Sequence, residues 1–170
     1  MQQQDRFIQL IKEHEGVIFK ITSIYARNAM DQKDLYQEIV AQLWTAYEKF
    51  RGEAKASTWI YRIALNTAIT VLRKDKKLAK AKELDWVLQY TDRKDPVQEE
   101  RIRQLYQQIE QLNDLEKGII LLFLEDRSYE EMATITGLTV TNIATRLSRI
   151  RKKLKAQMLN QSKVDRYGTR

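Results

Sequence analysis

Near the C-terminal end of the chain, apolar residues alternate at spacings of four and three. They are Ile143, Leu147, Ile150, Leu154 and Met158. This spacing places all five side chains on one side of a helix, so it predicts a helix with a single continuous apolar stripe.

A shorter helix is predicted just before this one. Ser128 and Glu131 stand three residues apart, which is the spacing of a capping box at a helix start. Gly137 suits the left-handed residue that often follows a helix end, and Thr139 can cap the next helix. The two helices together predict a helix-turn-helix over Ser128–Lys155.

The outer face of the longer helix is polar and cationic, and no acidic residue occurs between Thr139 and Lys155. Short polar side chains near a helix start reach base edges in the major groove, and arginines reach phosphates. The candidate DNA contacts are Thr141, Asn142, Thr145, Arg146, Ser148 and Arg149. From this pattern alone, the alternative is a basic amphipathic helix whose charged face is simply solvated.

Helical spacing also accounts for the first 75 residues. It predicts a helix with a bend at Gly16, running from Arg6 to about Met30. Asp31 is the predicted cap of a second helix and Ser57 of a third.

The periodicity is lost between Lys74 and Glu99, where charges are dense and the only proline, Pro96, occurs. We therefore predict a linker there. Helical spacing resumes at Glu99, and Asn113 or Asp114 is expected to cap the following helix. The sequence predicts an all-α fold of two small helical domains, residues 1–75 and 99–160, joined by a charged linker, 76–98, and followed by a flexible tail, 161–170.

Two further faces in the first domain are candidate binding surfaces. Asp34, Gln37 and Glu38 make the second helix acidic and amide-rich, which suits either a protein partner or solvent. On the third helix Trp59 lies beside cations, a combination suited to single-stranded nucleic acid because bases stack on rings and phosphates pair with Arg and Lys. From the sequence, Trp59 is equally consistent with the core, and Tyr61 is predicted to be core.

The composition excludes several classes of function and indicates the kind of partner. A formal net charge of +7 and an isoelectric point of about 9.5 indicate a polyanionic partner. With no cysteine, disulfides and thiolate metal sites are excluded. No apolar run approaches a membrane span or a signal core, so we expect a soluble cytoplasmic protein. His14 is the only histidine, and phosphate-binding glycine motifs are absent, so we expect neither an enzyme nor a metal or cofactor site.

Three stretches together resemble the sigma-70 family of bacterial RNA polymerase sigma factors, specifically the small two-domain extracytoplasmic-function (ECF) group. The family's polymerase-clamp helix resembles DLYQEIVAQLW at Asp34–Trp44. Its promoter-melting loop and −10 helix resemble FRGEAKASTWIYRIALN at Phe50–Asn66. Its −35 helix-turn-helix resembles SYEEMATITGLTVTNIATRLSRIRKKL at Ser128–Leu154. The three occur in the family's order and spacing.

The resemblance implies a sigma factor that binds core RNA polymerase and directs promoter-specific initiation by recognising duplex −35 DNA and melted −10 DNA. It implies polymerase contacts at Asp34, Gln37 and Glu38 and −35 contacts at the six residues given above. The implied −10 contacts are Arg51, Gly52, Lys55, Trp59, Arg62, Asn66, Arg73 and Lys74. It also implies a pocket for a flipped base at the 51–55 loop and an anti-sigma factor as a partner.

The chain departs from the family pattern at several positions. Thr70 stands where an acid is common, and Asn113 where a proline often opens the second domain. Thr141, Asn142 and Ala144 replace a commoner Gly-Thr…Lys pattern, which leaves the −35 sequence preference open. The alternatives are a stand-alone helix-turn-helix regulator, and an RNA-binding or anti-termination module.

Overall fold

The computed structural model describes residues 1–75 and 95–167, and within these ranges the chain is helical with no strand. The helices are α1 (Gln2–Glu13), α2 (Glu15–Tyr25), α3 (Ala29–Tyr47), α4 (Ala56–Asp75), α5 (Pro96–Glu110), α6 (Asp114–Leu124), α7 (Tyr129–Thr136) and α8 (Val140–Tyr167). In the described part of the chain, every helix is too short or too polar to cross a lipid bilayer.

The local signals of the helix-turn-helix are confirmed. Ser128 and Glu131 form a reciprocal capping box at the start of α7. Gly137 ends that helix with a φ of 77°, in the left-handed region that favours glycine. The Thr139 hydroxyl accepts a hydrogen bond from the Asn142 amide at 3.1 Å and so caps α8.

Two predicted caps in the first domain are wrong. The cap of α3 is Asn28, whose side-chain oxygen accepts from the Asp31 amide at 2.9 Å, while the Asp31 carboxylate pairs with Arg27. Ser57 lies inside α4, which begins one residue earlier at Ala56. The predicted bend at Gly16 is instead a break at His14, between α1 and α2.

In the second half, the capping box at the start of α6 uses Asn113, one of the two predicted caps. Helix α5 begins at Pro96, three residues before the periodicity indicates, because Asp95 caps it. The other linker residues, 76–94, lie outside the described residues.

Helix α8 continues to Tyr167, so most of the segment expected to be a tail is helical. The end of α8 is joined to α5 by side-chain amides. Gln108 Nε2 donates to Gln161 Oε1 at 2.8 Å, and Gln157 Nε2 donates to Gln111 Oε1 at 3.0 Å.

Each half of the chain contributes a buried apolar face. In the first domain α2, α3 and α4 pack against one another, and Tyr61 of α4 is fully buried, as predicted. In the second domain the α8 stripe is buried from Ile143 to Leu154, whereas Met158 is exposed. The buried residues of the stripe pack against α6 and α7, which fixes the outer face of α8 toward solvent.

The two domains also pack against each other, which the sequence analysis did not anticipate. Their buried residues form one continuous cluster, in which α2 and α4 contact α6 and α7. At its centre, the Tyr25 hydroxyl donates to the Asp114 carbonyl at 2.6 Å. A β-carbon on Gly118 would lie 3.1 Å from that hydroxyl and 3.5 Å from a Leu65 methyl, so glycine permits the close approach.

Candidate nucleic-acid interface

The outer face of α8 has the geometry of a DNA-reading helix. Thr141, Thr145 and Arg149 follow one another at four-residue spacing and are all exposed, so they lie along one line of the helix. Beside them Arg146 Nε donates to Asn142 Oδ1 at 2.6 Å, which holds the guanidinium at the N-terminal end of the helix. This is the end of a recognition helix that contacts base edges.

The remaining polar residues of α8 lie at the sides of this face. Ser148 is exposed but borders an apolar groove of about 690 Å³ between α5, α6 and α8, away from the line of Thr145 and Arg149. Arg151 stacks over the Phe123 ring at 5.4 Å, on the same side as the groove. On the other side Lys153 lies 3.8 Å from the Glu116 carboxylate.

A second polar face runs along α4. Trp59, Arg62, Asn66 and Arg73 fall at spacings of three, four and seven residues, so they lie on one side of the helix. Arg62, Asn66 and Arg73 are exposed and Trp59 is half-buried. The face therefore has an aromatic ring at its start and cations along its length.

The start of the α4 face borders a cavity of about 380 Å³, within the size range of small-ligand pockets. Trp59 and Phe50 pack there with ring centroids 4.6 Å apart, and Arg51 lines the same cavity. Gly52 turns the loop with a φ of 72°. Trp59 is thus neither wholly core nor wholly exposed: one part packs against Phe50 and Tyr47, and another lines the cavity.

The acidic face of α3 is exposed. Asp34 and Glu38 stand one helical turn apart and Gln37 lies between them. Glu38 Oε1 accepts a hydrogen bond from Gln42 Nε2 at 2.9 Å. This face is separate from the cavity beside Trp59, since Asp34 and Glu38 line a different cleft, between α3 and α4.

Comparison with protein families identifies both halves of the chain. The family model described as Sigma-70 region 2 matches residues 10–78, and the one described as Sigma-70, region 4 matches residues 102–154. The chain belongs to the ECF group of the sigma-70 family. It directs promoter-specific transcription initiation by RNA polymerase.

Individual relatives agree with this assignment. The chain is 28% identical to the RNA polymerase sigma factor SigV of Bacillus subtilis, over 91% of this chain and 92% of that one. It is also 28% identical to the ECF RNA polymerase sigma-E factor of Escherichia coli K12, over 88% and 84%.

Two solved structures share the fold. One is the sigma factor RpoE in complex with the anti-sigma factor NepR from Bartonella quintana, with a TM-score of 0.72, 18% identity, and coverage of 90% of this chain and 96% of that one. The other is CnrH in complex with the cytosolic domain of CnrY, with a TM-score of 0.66, 21% identity and coverage of 91% and 88%.

The structure of this sigma factor separates two residues from the rest of the predicted −10 set. Lys74 lines the cleft between α3 and α4, together with Asp34 and Glu38, rather than the cavity beside Trp59. Lys55 is exposed, but its ammonium group lies 3.4 Å from the Glu131 carboxylate of α7.

Sequence reasoning missed Arg127, in the loop between α6 and α7. Its guanidinium lies 5.0 Å from the centre of the Tyr61 ring, and its Nη1 donates to the Ser57 hydroxyl at 3.3 Å. Both partners are in α4, in the other domain. Nothing in the sequence around Arg127 distinguishes it from the other cations, because its partners are 66 and 70 positions away.

The described residues include no cluster of three or more His, Asp or Glu side chains placed to hold a metal ion. The polar faces of α3, α4 and α8 are instead suited to contacts with a macromolecule.

Because the Tyr61 hydroxyl is buried, we expect the stability of the folded protein to decrease at alkaline pH. Burial raises its pKa to about 12, with the Glu125 carboxylate acting in the same direction and Arg127 opposing it. In the unfolded chain the pKa of tyrosine is about 10. The folded state holds this proton more tightly, so the stabilisation is complete below about pH 10 and is lost as pH rises toward about 12.

We therefore expect the free energy of unfolding, measured by urea titration, to fall across this window. The fall should be larger in the wild type than in Tyr61→Phe, by about 1–2 kcal/mol. An equal fall in both proteins would contradict the assignment, because the other tyrosines are common to both.

Proposed function

We propose that this sigma factor uses three separate surfaces at a promoter. Asp34, Gln37 and Glu38 on α3 dock on core RNA polymerase. The 51–55 loop and the outer face of α4 bind the melted −10 strand. The outer face of α8 binds duplex −35 DNA. The observation that carries the proposal is the presence, in one chain, of a helix-turn-helix face and a separate aromatic-lined cavity flanked by cations.

The cavity beside Trp59 is suited to a base removed from the duplex. Taking a base out of the stack costs a few kcal/mol, and stacking on an aromatic side chain returns about 1–3 kcal/mol per base. Trp59 and Phe50 offer rings at this position, and Arg51 offers charge to the adjoining phosphate. Arg62, Asn66 and Arg73 continue the face along α4, where the following nucleotides would lie.

The face on α8 is suited to duplex DNA. Thr141, Asn142 and Thr145 lie near the start of the helix, where side chains reach base edges. Arg146 and Arg149 follow further along the helix. Phosphate contacts provide most of the affinity and make it dependent on salt, while base contacts select the sequence.

The sigma factor itself performs no chemistry in this proposal. Its role is to bind DNA and polymerase, which needs neither a catalytic group nor a cofactor, and it acts in the cytoplasm, where bacterial transcription takes place. Because a sigma factor of the same fold forms a complex with an anti-sigma factor, we also propose that a partner of that kind holds this one inactive.

Transcription with purified core polymerase on a library of promoter fragments tests the proposal. We expect defined start sites that depend on addition of the chain. Failure of the chain to associate with core polymerase would contradict it. Tight sequence-specific binding without polymerase would favour a stand-alone regulator, and stronger binding of single-stranded RNA than of duplex DNA would favour an RNA-binding module.

A further inference from the structure

Beyond Leu154, the inward side of α8 changes from apolar to polar. Gln157 and Gln161 continue the line of Ile150 and Leu154, at spacings of three and four residues. Side-chain hydrogen bonds join both glutamines to α5. The Sigma-70, region 4 model ends at residue 154, so these two glutamines lie in a part of the chain that the family model does not match.

A cavity of about 600 Å³ lies between α5 and the C-terminal end of α8. Five glutamines, Asn160 and Glu110 line it, so every lining side chain is an amide or a carboxylate and none is a cation. Such a lining differs from the outer face of α8, where arginines are exposed. The two sides of one helix therefore suit different partners.

Two amide oxygens at this cavity have no hydrogen-bond donor in the described part of the chain. They belong to Gln108 and Gln157, whose Nε2 groups each donate to the opposite helix. Gln108 is only 6% exposed, so its side chain is almost out of contact with bulk solvent. A buried acceptor without a donor destabilises the fold, and such groups in proteins are usually paired. The last torsion of a glutamine side chain is broad, so a small rotation turns either oxygen toward a donor in the cavity.

Glu110 adds a negative charge to the same cavity. Its side chain is half-buried, and it forms no ion pair with any residue that the structure describes. The cavity thus presents two unpaired amide oxygens and one carboxylate, all of them acceptors. A cation that carries several hydrogen-bond donors is complementary to this set.

We propose that the cavity binds an arginine side chain of a protein partner. The guanidinium group has five N–H donors in one plane, so it can bridge amide oxygens and a carboxylate at the same time. A lysine ammonium group is more strongly hydrated and costs more to bury. The exposed amides of Gln107 and Asn160 offer donors and acceptors to the backbone of the segment that carries the arginine. Nucleic acid does not fit, because Glu110 would repel its phosphates.

The cavity lies away from the DNA-binding face of α8. At about 100° per residue, Gln161 is rotated by about 160° from Thr145 and by about 120° from Arg149. A partner in the cavity would therefore leave the outer face of α8 free for DNA. This site is additional to the three surfaces proposed above and does not depend on them.

The test uses N-acetyl-L-arginine amide as the probe and N-acetyl-L-lysine amide as its equally charged control. Each is titrated into the isotope-labelled full-length protein, and nuclear magnetic resonance follows the side-chain amide signals. We expect the arginine probe to shift the signals of Gln108 and Gln157 and to bind with a Kd of about 1 mM, as suits a ligand of this size. The lysine probe should bind at least about fivefold more weakly.

Glu110→Gln should weaken binding of the arginine probe by about tenfold, because an amide of nearly the same shape replaces the carboxylate. Glu100→Gln is the matched control on α5, where the exposed Glu100 accepts a hydrogen bond from Gln104 at 3.1 Å. It should leave binding of the probe unchanged. Both variants make the same charge change, so they should bind duplex promoter DNA with equal affinity.

Gln108→Leu tests the unpaired oxygen in the absence of a probe. Leucine has a similar size and no acceptor, and removal of an unpaired buried polar group need not destabilise a protein. We expect the thermal unfolding midpoint of the free variant to be at or above that of the wild type, and binding of the arginine probe to be lost. A midpoint lower by about 5 °C or more would show that the oxygen is already paired, and would overturn the site.

The proposal is also overturned if the two probes bind equally well, or if Glu110→Gln and Glu100→Gln bind the arginine probe with the same affinity. Self-association of the full-length protein that Glu110→Gln abolishes would support the site and identify a second copy of this chain as the partner. These measurements use no polymerase, so their failure leaves the proposed function intact. Failure of the wild type to associate with core polymerase would in turn leave this site intact.

Discussion

We expect Glu38→Arg to reduce the affinity of this sigma factor for core RNA polymerase by about 100-fold or more. Glu38 is exposed on the acidic face of α3, where its carboxylate accepts a hydrogen bond from Gln42. A complementary polymerase surface would then face a cation in place of an anion. Like charges brought together at an interface cost several kcal/mol, and each ~1.4 kcal/mol is a factor of ten. Titration of labelled sigma factor with core polymerase measures the change.

Glu13→Arg is the matched control for this variant. Glu13 is an exposed glutamate on α1 that accepts from Gln9 at 2.9 Å, the same type and length of hydrogen bond that Glu38 accepts from Gln42. Glu13→Arg makes the same change of charge on α1, away from the acidic face, so the affinity for polymerase should stay close to that of the wild type. Equal affinities for the two variants would refute the assignment of the acidic face.

We expect Arg149→Ala to weaken binding of the polymerase holoenzyme to a promoter with a −35 element by about 10- to 100-fold. Arg149 is exposed on the line of Thr141 and Thr145. A single arginine contact to a base edge is worth about 1–3 kcal/mol. If the contact is instead to a phosphate, the slope of log K against log salt should become shallower by about 1.

Arg151→Ala tests whether the position of an arginine on α8 matters for promoter binding, or only its positive charge. It removes an arginine from the same helix two residues further on, but Arg151 stacks over Phe123 on the groove side. We expect a much smaller loss of promoter affinity and an unchanged sequence preference. Comparable losses in the two variants would mean that the net charge of α8, rather than its outer face, determines binding.

The helix-turn-helix could be predicted closely from the sequence because its signals are local. The capping box of Ser128 and Glu131, the left-handed Gly137 and the cap at Thr139 each depend on residues within one turn. The α3 cap was predicted wrongly because Asn28 and Asp31 are both good capping residues, three positions apart. The Asn28 side chain reaches the Asp31 amide, so the helix begins earlier.

Tertiary contacts decide what the sequence left open. Trp59 could not be assigned to core or surface because its neighbours Phe50 and Tyr47 belong to another part of the chain. The packing of the domains was missed for a related reason. Apolar periodicity identifies which residues are buried, but it does not identify the residues against which they pack. Tyr25 and Gly118 are 93 positions apart, and neither carries a local signal of the contact.

The amide hydrogen bonds between α5 and the end of α8 have a practical consequence. Gln108 with Gln161, and Gln111 with Gln157, carry no net charge, so dissolved ions hardly screen them. Raising the ionic strength should therefore release DNA from the outer face of α8 without breaking the contacts between the C-terminal end of α8 and α5. A protein that concentrated salt has released from promoter DNA should therefore bind that DNA again after dilution, without refolding.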